Sequence, residues 1–138
     1  MPMNQKMITI GIWIGLAGMI LLSAGCAVLG VGAVGAAAGG TVYVNGEEYS
    51  AYSASMEKAW KASEDVIADM QMKVTRKSID NMDRNRLLKG KMKDGKDFEI
   101  NLEAKASDVT VVKVRVGIFG DEAASKKIQD AIAQRIKG

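Results

Sequence analysis

No charged side chain occurs from Met7 to Val44, whereas charges are dense from Glu47 onward. A surface helix or an exposed sheet needs one polar face, and an uncharged run of this length offers none. The water-exposed fold is therefore expected to be built mainly from the later, charged residues, and most of the run suits an apolar environment. At 138 residues the chain has room for one domain, and only its later part is available for a core. The formal charge is +3, and removing Met1–Gly25 takes away Lys6 alone, which leaves +2. So mild a balance implies neither nucleic acid nor strongly acidic partners. The chain has one cysteine and no histidine. An internal disulfide framework, histidine-based catalysis and cysteine–histidine metal sites are excluded, and no cofactor is expected.

The front of the uncharged run is ordered like an export signal. Met1–Lys6 is short and basic, Met7–Leu22 is apolar, and small residues lead into Cys26. Leu22-Ser23-Ala24-Gly25-Cys26 resembles the site at which bacterial lipoprotein precursors are lipidated and cut, with Ser23 where leucine is usual. The expectation is a signal peptide over 1–25, cleavage between Gly25 and Cys26, and lipidation of the Cys26 thiol. Acyl chains contribute about 0.8 kcal/mol per buried methylene, so two or three chains would hold the protein on a membrane permanently. Ala27 is not the aspartate that retains such proteins in the inner membrane. The expected location is therefore the outer membrane of a bacterial envelope, facing the periplasm. An uncleaved single membrane span and a merely inert cysteine are the alternatives.

Residues 26–40 would form a Gly/Ala-rich leader after the lipidated cysteine. Gly30, Gly32 and Gly35 match the G-x-G-x-x-G spacing of a dinucleotide loop. That loop requires a preceding buried strand and a following amphipathic helix. Here Ala36-Ala37-Ala38-Gly39-Gly40 comes next, and then a strand-like segment. The glycines are read as leader.

From Thr41 the pattern becomes regular. Thr41–Val44 and Glu47–Tyr52 flank Asn45-Gly46, a favoured type I′ hairpin turn. Ser55–Met70 places Met56, Ala59, Trp60, Val66, Ile67 and Met70 on one helical face. Ser63 interrupts that stripe and can bond back to the Ala59 carbonyl, and Ser53 or Ser55 can cap the start. Strands are expected over Met72–Ile79, Arg86–Met92, Asp97–Ala104 and Val109–Ile118. In the last, Val112, Val114, Val116 and Ile118 should point one way, and Lys113 and Arg115 the other. Asp121–Lys137 reads as a helix with Ala124, Ile128, Ile132 and Ile136 as its apolar stripe. The predicted fold is α+β, a two-layer antiparallel sheet with two helices on one face, in the order ββ-α-ββββ-α. It would come after an N-terminal signal or anchor helix and occupy residues 41–138 as a periplasmic domain.

Candidate sites are few. Lys73–Lys96 holds nine basic residues against Asp80, Asp83 and Asp94. Lys89 and Lys91 could form a cationic ridge toward anionic lipid, lipopolysaccharide or peptidoglycan. They also alternate with Leu88, Gly90 and Met92, as any solvated strand face does, and Glu99 and Glu103 could neutralise them. Arg115-Val116-Gly117-Ile118-Phe119-Gly120-Asp121-Glu122 is the most distinctive stretch. Gly117, Gly120 and Asp121 read as a strand-to-helix joint, with the glycines free to take positive φ and Asp121 capping the helix. Arg115 could hold an anion at that helix start, although Asp121 and Glu122 would repel it. Ser125-Lys126 reads as a helix-surface pair, and Tyr43, Tyr49 and Tyr52 as hairpin stabilisers. No catalytic residue and no metal ligand is expected. The chemistry points to a non-catalytic binding or structural module, with an enzymatic or ligand-binding domain on the basic strand face as the alternative.

From Cys26 to the final helix the chain resembles a family of small bacterial lipoproteins of unknown function. Cys26 with its leader, Tyr43-Val44-Asn45-Gly46, Met56-Glu57-Lys58-Ala59-Trp60, Gly90, Asp94-Gly95 and Arg115–Glu122 carry the resemblance. It implies an exported, lipid-anchored domain and assigns no reaction or cofactor.

Overall fold

The computed structural model of the protein describes residues 41–138. The expected signal peptide, Gly25, Cys26 and the leader with Gly30, Gly32 and Gly35 lie outside the described residues. The elements run β1 (Thr41–Val44), β2 (Glu47–Tyr52), α1 (Met56–Asp69), β3 (Lys73–Ile79), β4 (Asn85–Lys91), β5 (Asp97–Ala106), β6 (Val109–Val116) and α2 (Glu122–Lys137). The strands form one antiparallel sheet in the order β1-β2-β6-β5-β4-β3. This is the predicted ββ-α-ββββ-α domain.

Alternation decides which face is covered. Phe98, Ile100 and Leu102 of β5 and Val112, Val114 and Val116 of β6 are buried, and they share rows in the strand register. Helices α1 and α2 lie over them, with Met56, Ala59, Trp60, Val66 and Ile67 from the first and Ile128, Ile132 and Ile136 from the second. Each large aliphatic side chain buried in this way stabilises the fold by roughly 1.5–3 kcal/mol. Among the described residues no element covers the other face, which carries most of the charged residues of β4, β5 and β6.

The helix ends depend on single residues. Ser55 caps α1 by accepting from the Lys58 amide at 3.3 Å, and Ser63 donates to the Ala59 carbonyl at 2.8 Å, as its spacing predicts. Gln71, at φ 55°, then ends α1: its amide donates to Ala68 and that of Met72 to Ile67. That pair of bonds is a Schellman stop with glutamine in the place glycine usually holds. Asp121 caps α2 through the Ala124 amide at 3.0 Å.

One expected core residue is misplaced. Ile118 does not continue the buried row of β6, and it is 77% exposed. The strand stops at Val116 because Gly117 takes φ 74° and turns the chain away. Period-two alternation cannot be extended through a residue in the left-handed region.

Candidate functional site

The open face is set by register. Directly opposed residues on neighbouring strands share a face, so the pairs Lys73–Lys91, Arg76–Lys89, Lys89–Glu99, Lys91–Asp97 and Glu99–Arg115 place all these side chains on it. Near the end where β6 leaves the sheet, the face dips into a hollow of about 310 Å³. Thr75, Lys89, Asp97, Glu99, Arg115 and Ile118 line it, together with Gly90, Phe98 and Gly117.

Of the basic residues singled out from the sequence, Lys89 and Arg115 meet in this hollow, and Lys91 stands beside it. Lys89 is neutralised by Glu99 at 2.8 Å, as expected from the neighbouring strand. Lys91 pairs instead with Asp97 at 2.7 Å. Glu103 serves Lys105 and, at 3.3 Å, Lys113, and those lysines hold its carboxyl below the usual range. Arg115 donates to the Ile118 carbonyl and so ties the turn just after it. It is not aimed at the start of α2, where Asp121 is already occupied by the Ala124 amide and by Lys96 at 2.8 Å. Lys96 and that amide together lower the pKa of Asp121.

Gly117 and Gly120 form the joint between β6 and α2, both with positive φ. Gly120 also packs so closely on Gly46 and the Tyr43 hydroxyl that a Cβ there would overlap both. The turn is thus clamped against the β1–β2 hairpin, while Phe119 at its tip is 92% exposed. Tyr43 meets Gly120, Tyr52 reaches across to donate to the Gln129 carbonyl of α2 at 3.2 Å, and Tyr49 lies on the open face, donating to Glu47 at 2.6 Å.

Three features escaped the sequence. The exposure of Phe119 was signalled only by its position between two glycines. The pairing of Lys73 with Lys91 and Arg76 with Lys89 depends on a register that a bulge shifts between Val74 and Arg76. Arg86, counted with the surface bases, is buried at 6% exposure. Its alternation with Leu88 and Gly90 was the available sign.

Arg86 lies at the edge of the core and binds Asp83 at 2.6 and 2.7 Å and Glu57 of α1 at 3.2 Å. Its guanidinium carbon stands 5.4 Å from the Trp60 ring centre, and Lys77 stands 5.1 Å from the same ring. The acids raise the Arg86 pKa, and Arg86 in turn lowers those of Glu57 and Asp83. This is a structural clamp and not a reactive group. Among the described residues, no three cysteine or acidic side chains gather to hold a metal ion.

No curated protein matches the chain. Residues 8–135 match the family described as Protein of unknown function (DUF3568). The match takes in the hairpin, α1, all of the hollow and α2 as far as Arg135, so the chain belongs to this family.

Proposed function

We propose that the protein is a lipid-anchored component of the bacterial cell envelope, with its α+β domain serving as a non-catalytic binding or structural module. The observation that carries this reading is Leu22-Ser23-Ala24-Gly25-Cys26 at the end of an apolar stretch with a basic start. Cleavage before Cys26 and acylation of its thiol fix the domain at a membrane surface, and Ala27 directs it to the periplasmic side of the outer membrane. Labelled palmitate tests this. The wild type should incorporate label and pellet with membranes at the mass lacking Met1–Gly25, while Cys26→Ala should incorporate none. A full-length mass would favour the uncleaved span, and unlabelled wild type would overturn lipidation.

A ligand-binding role for the domain is favoured by one geometric fact: Arg115 and Lys89, the latter paired with Glu99, share one hollow on the open face. Charge reversal at Lys89 and Lys91 should weaken binding to envelope polyanions in a salt-dependent manner. Unchanged binding would remove this role.

A further inference from the structure

We infer that the open sheet face beside β3 and β4, together with the Ile118-Phe119 tip, lies on an anionic phospholipid surface; this rests on the lipid-anchored reading above. The first observation is electrostatic. Lys73 sits directly opposite Lys91, and Arg76 directly opposite Lys89. Like charges in directly opposed positions destabilise a strand pair, and a face shaped only for water would place acids there. Asp97 and Glu99 neutralise Lys91 and Lys89 from the β5 side. Lys73 and Arg76 have no acidic partner among the described residues. The unneutralised charge is therefore on the outer column of the face, where an external anion can reach it.

The second observation is apolar and independent of the first. Ile118 and Phe119 are 77% and 92% exposed, side by side. Their turn is not loose. The Gly117 amide donates to Asp97 at 2.7 Å, the Asp121 amide to Val116 at 2.7 Å, and Arg115 to the Ile118 carbonyl. Gly120 is seated against Gly46. A turn so tied presents two large apolar side chains in a fixed posture, so burying them later requires little further ordering.

The hollow joins the two features: Thr75, Lys89, Arg115 and Ile118 line it, together with Asp97 and Glu99, which are held by Lys91 and Lys89. One continuous surface thus carries an apolar tip, the Lys91–Asp97 and Lys89–Glu99 ion pairs beside it, and the unneutralised Lys73 and Arg76 beyond them. At a membrane the tip enters the acyl boundary while the long basic side chains reach the phosphate level. A lipid surface suits this face because it accepts diffuse cations and a small apolar tip without a matching shape.

The test uses the full chain reconstituted into phosphatidylcholine vesicles with or without phosphatidylglycerol. Amine acylation is read at Lys73 by peptide mass spectrometry, with Lys127 of α2 as the internal reference. Labelling of Lys73 should fall about fivefold when phosphatidylglycerol is present, the scale set by the attraction of one surface cation, and should recover at high salt. Ile118→Ser/Phe119→Ser, and separately Arg76→Glu, should restore labelling while leaving the domain folded, because these side chains are outside the core. Equal labelling of Lys73 in both vesicle types overturns the inference, as does protection that appears only when peptidoglycan or envelope proteins are added. Loss of the chain from phosphatidylcholine vesicles would count against the anchor alone. Phosphatidylglycerol-dependent sedimentation of such an unanchored chain would still support the lipid-facing surface.

Discussion

Arg86 and Glu48 carry opposite charges into the same side of the same sheet, at 6% and 3% exposure. Their surroundings differ in every other respect. Arg86 is held by Asp83 and Glu57 and lies over Trp60. Glu48, on β2 beneath α2, has no hydrogen bond or ion pair among the described residues. The groups in this part of the fold, Ser50 on β2 and Ser125 and Gln129 on α2, each keep one buried oxygen without a partner. Burial alone therefore says little about what a charge does. The α1 side of the core is a mainly apolar layer closed by a satisfied arginine, whereas the seam between β2 and α2 is polar and only partly satisfied. The first should answer to mutation as a structural clamp, and the second should be tolerant or even improved.

The largest effect is expected at the clamp. Arg86→Ala removes the contact over Trp60 and every bond to Asp83 and Glu57. Those acids are mostly exposed and can rehydrate, so the loss falls below that of a fully buried pair, at about 2–3 kcal/mol by denaturant unfolding. The variant should also change the acid limb. In the folded wild type the Arg86 hydrogen bonds hold Glu57 and Asp83 below their ordinary values of 4.5 and 3.8. Their contribution is therefore present above that range and is lost as pH falls through the depressed folded values. Arg86→Ala should lose stability less steeply on acidification than the wild type. An equal acid slope would show that the clamp is not what ties these acids to folding.

Next in size is Tyr52, which faces the polar seam and donates to the Gln129 carbonyl at 3.2 Å. Burial, the main cause, pushes its pKa from 10.0 up to about 12. A raised value favours the neutral phenol in the fold, so this contribution is complete below pH 10 and is lost as pH rises from 10 toward 12. Tyr52→Phe should cost about 1 kcal/mol at neutral pH, the scale of one hydrogen bond. It should also reduce the alkaline loss of stability. If Arg86→Ala changed the alkaline limb equally, the two regions would not be separate.

The same contrast explains how far the sequence could be read. Alternation in Phe98, Ile100 and Leu102 and helical spacing in Ile128, Ile132 and Ile136 report burial directly, so the sheet, the helices and their order were legible. The Gly117–Gly120 joint was legible too, because glycine beside a capping aspartate has few other uses. Arg86 and Glu48 were not, since a charged residue on a buried face is recognised only through the partners it finds in three dimensions. Gly90 was visible as a motif residue but not as a packing requirement. It has no positive φ among the described backbone exceptions, and its role is that a Cβ would overlap the Lys73 carbonyl oxygen. For the hollow, Lys89 and Arg115 were identified singly. Their meeting depends on β6 lying next to β5 and on the sheet order, neither of which is written in local periodicity.

Glu48→Gln is the smallest expected effect and the sharpest test of the comparison, because its sign differs. Replacing one partner of a satisfied buried charge leaves the others with less than they had, which is why Arg86→Ala destabilises. Glu48 has no such partners to strand. Its charge acts weakly on Tyr52 and on Lys126, whose pKa is raised mainly by its own pairing with Asp130, 2.9 Å away. Glutamine keeps the length and one carbonyl oxygen, removes the charge, and adds an amide donor to a seam in which Ser50 Oγ, Ser125 Oγ and Gln129 Oε1 lack partners. Stability should rise by up to about 1 kcal/mol, the scale of one hydrogen bond gained in the seam. Thermal and denaturant unfolding would measure it, with Ser125→Ala expected within about 0.5 kcal/mol of wild type because its hydroxyl forms no bond that alanine would break. A loss of about 2 kcal/mol or more in Glu48→Gln, on the scale expected at Arg86, would mean that the carboxylate is held by interactions equivalent to those of the clamp. The polar seam would then be a second structural lock and not the yielding side of the core.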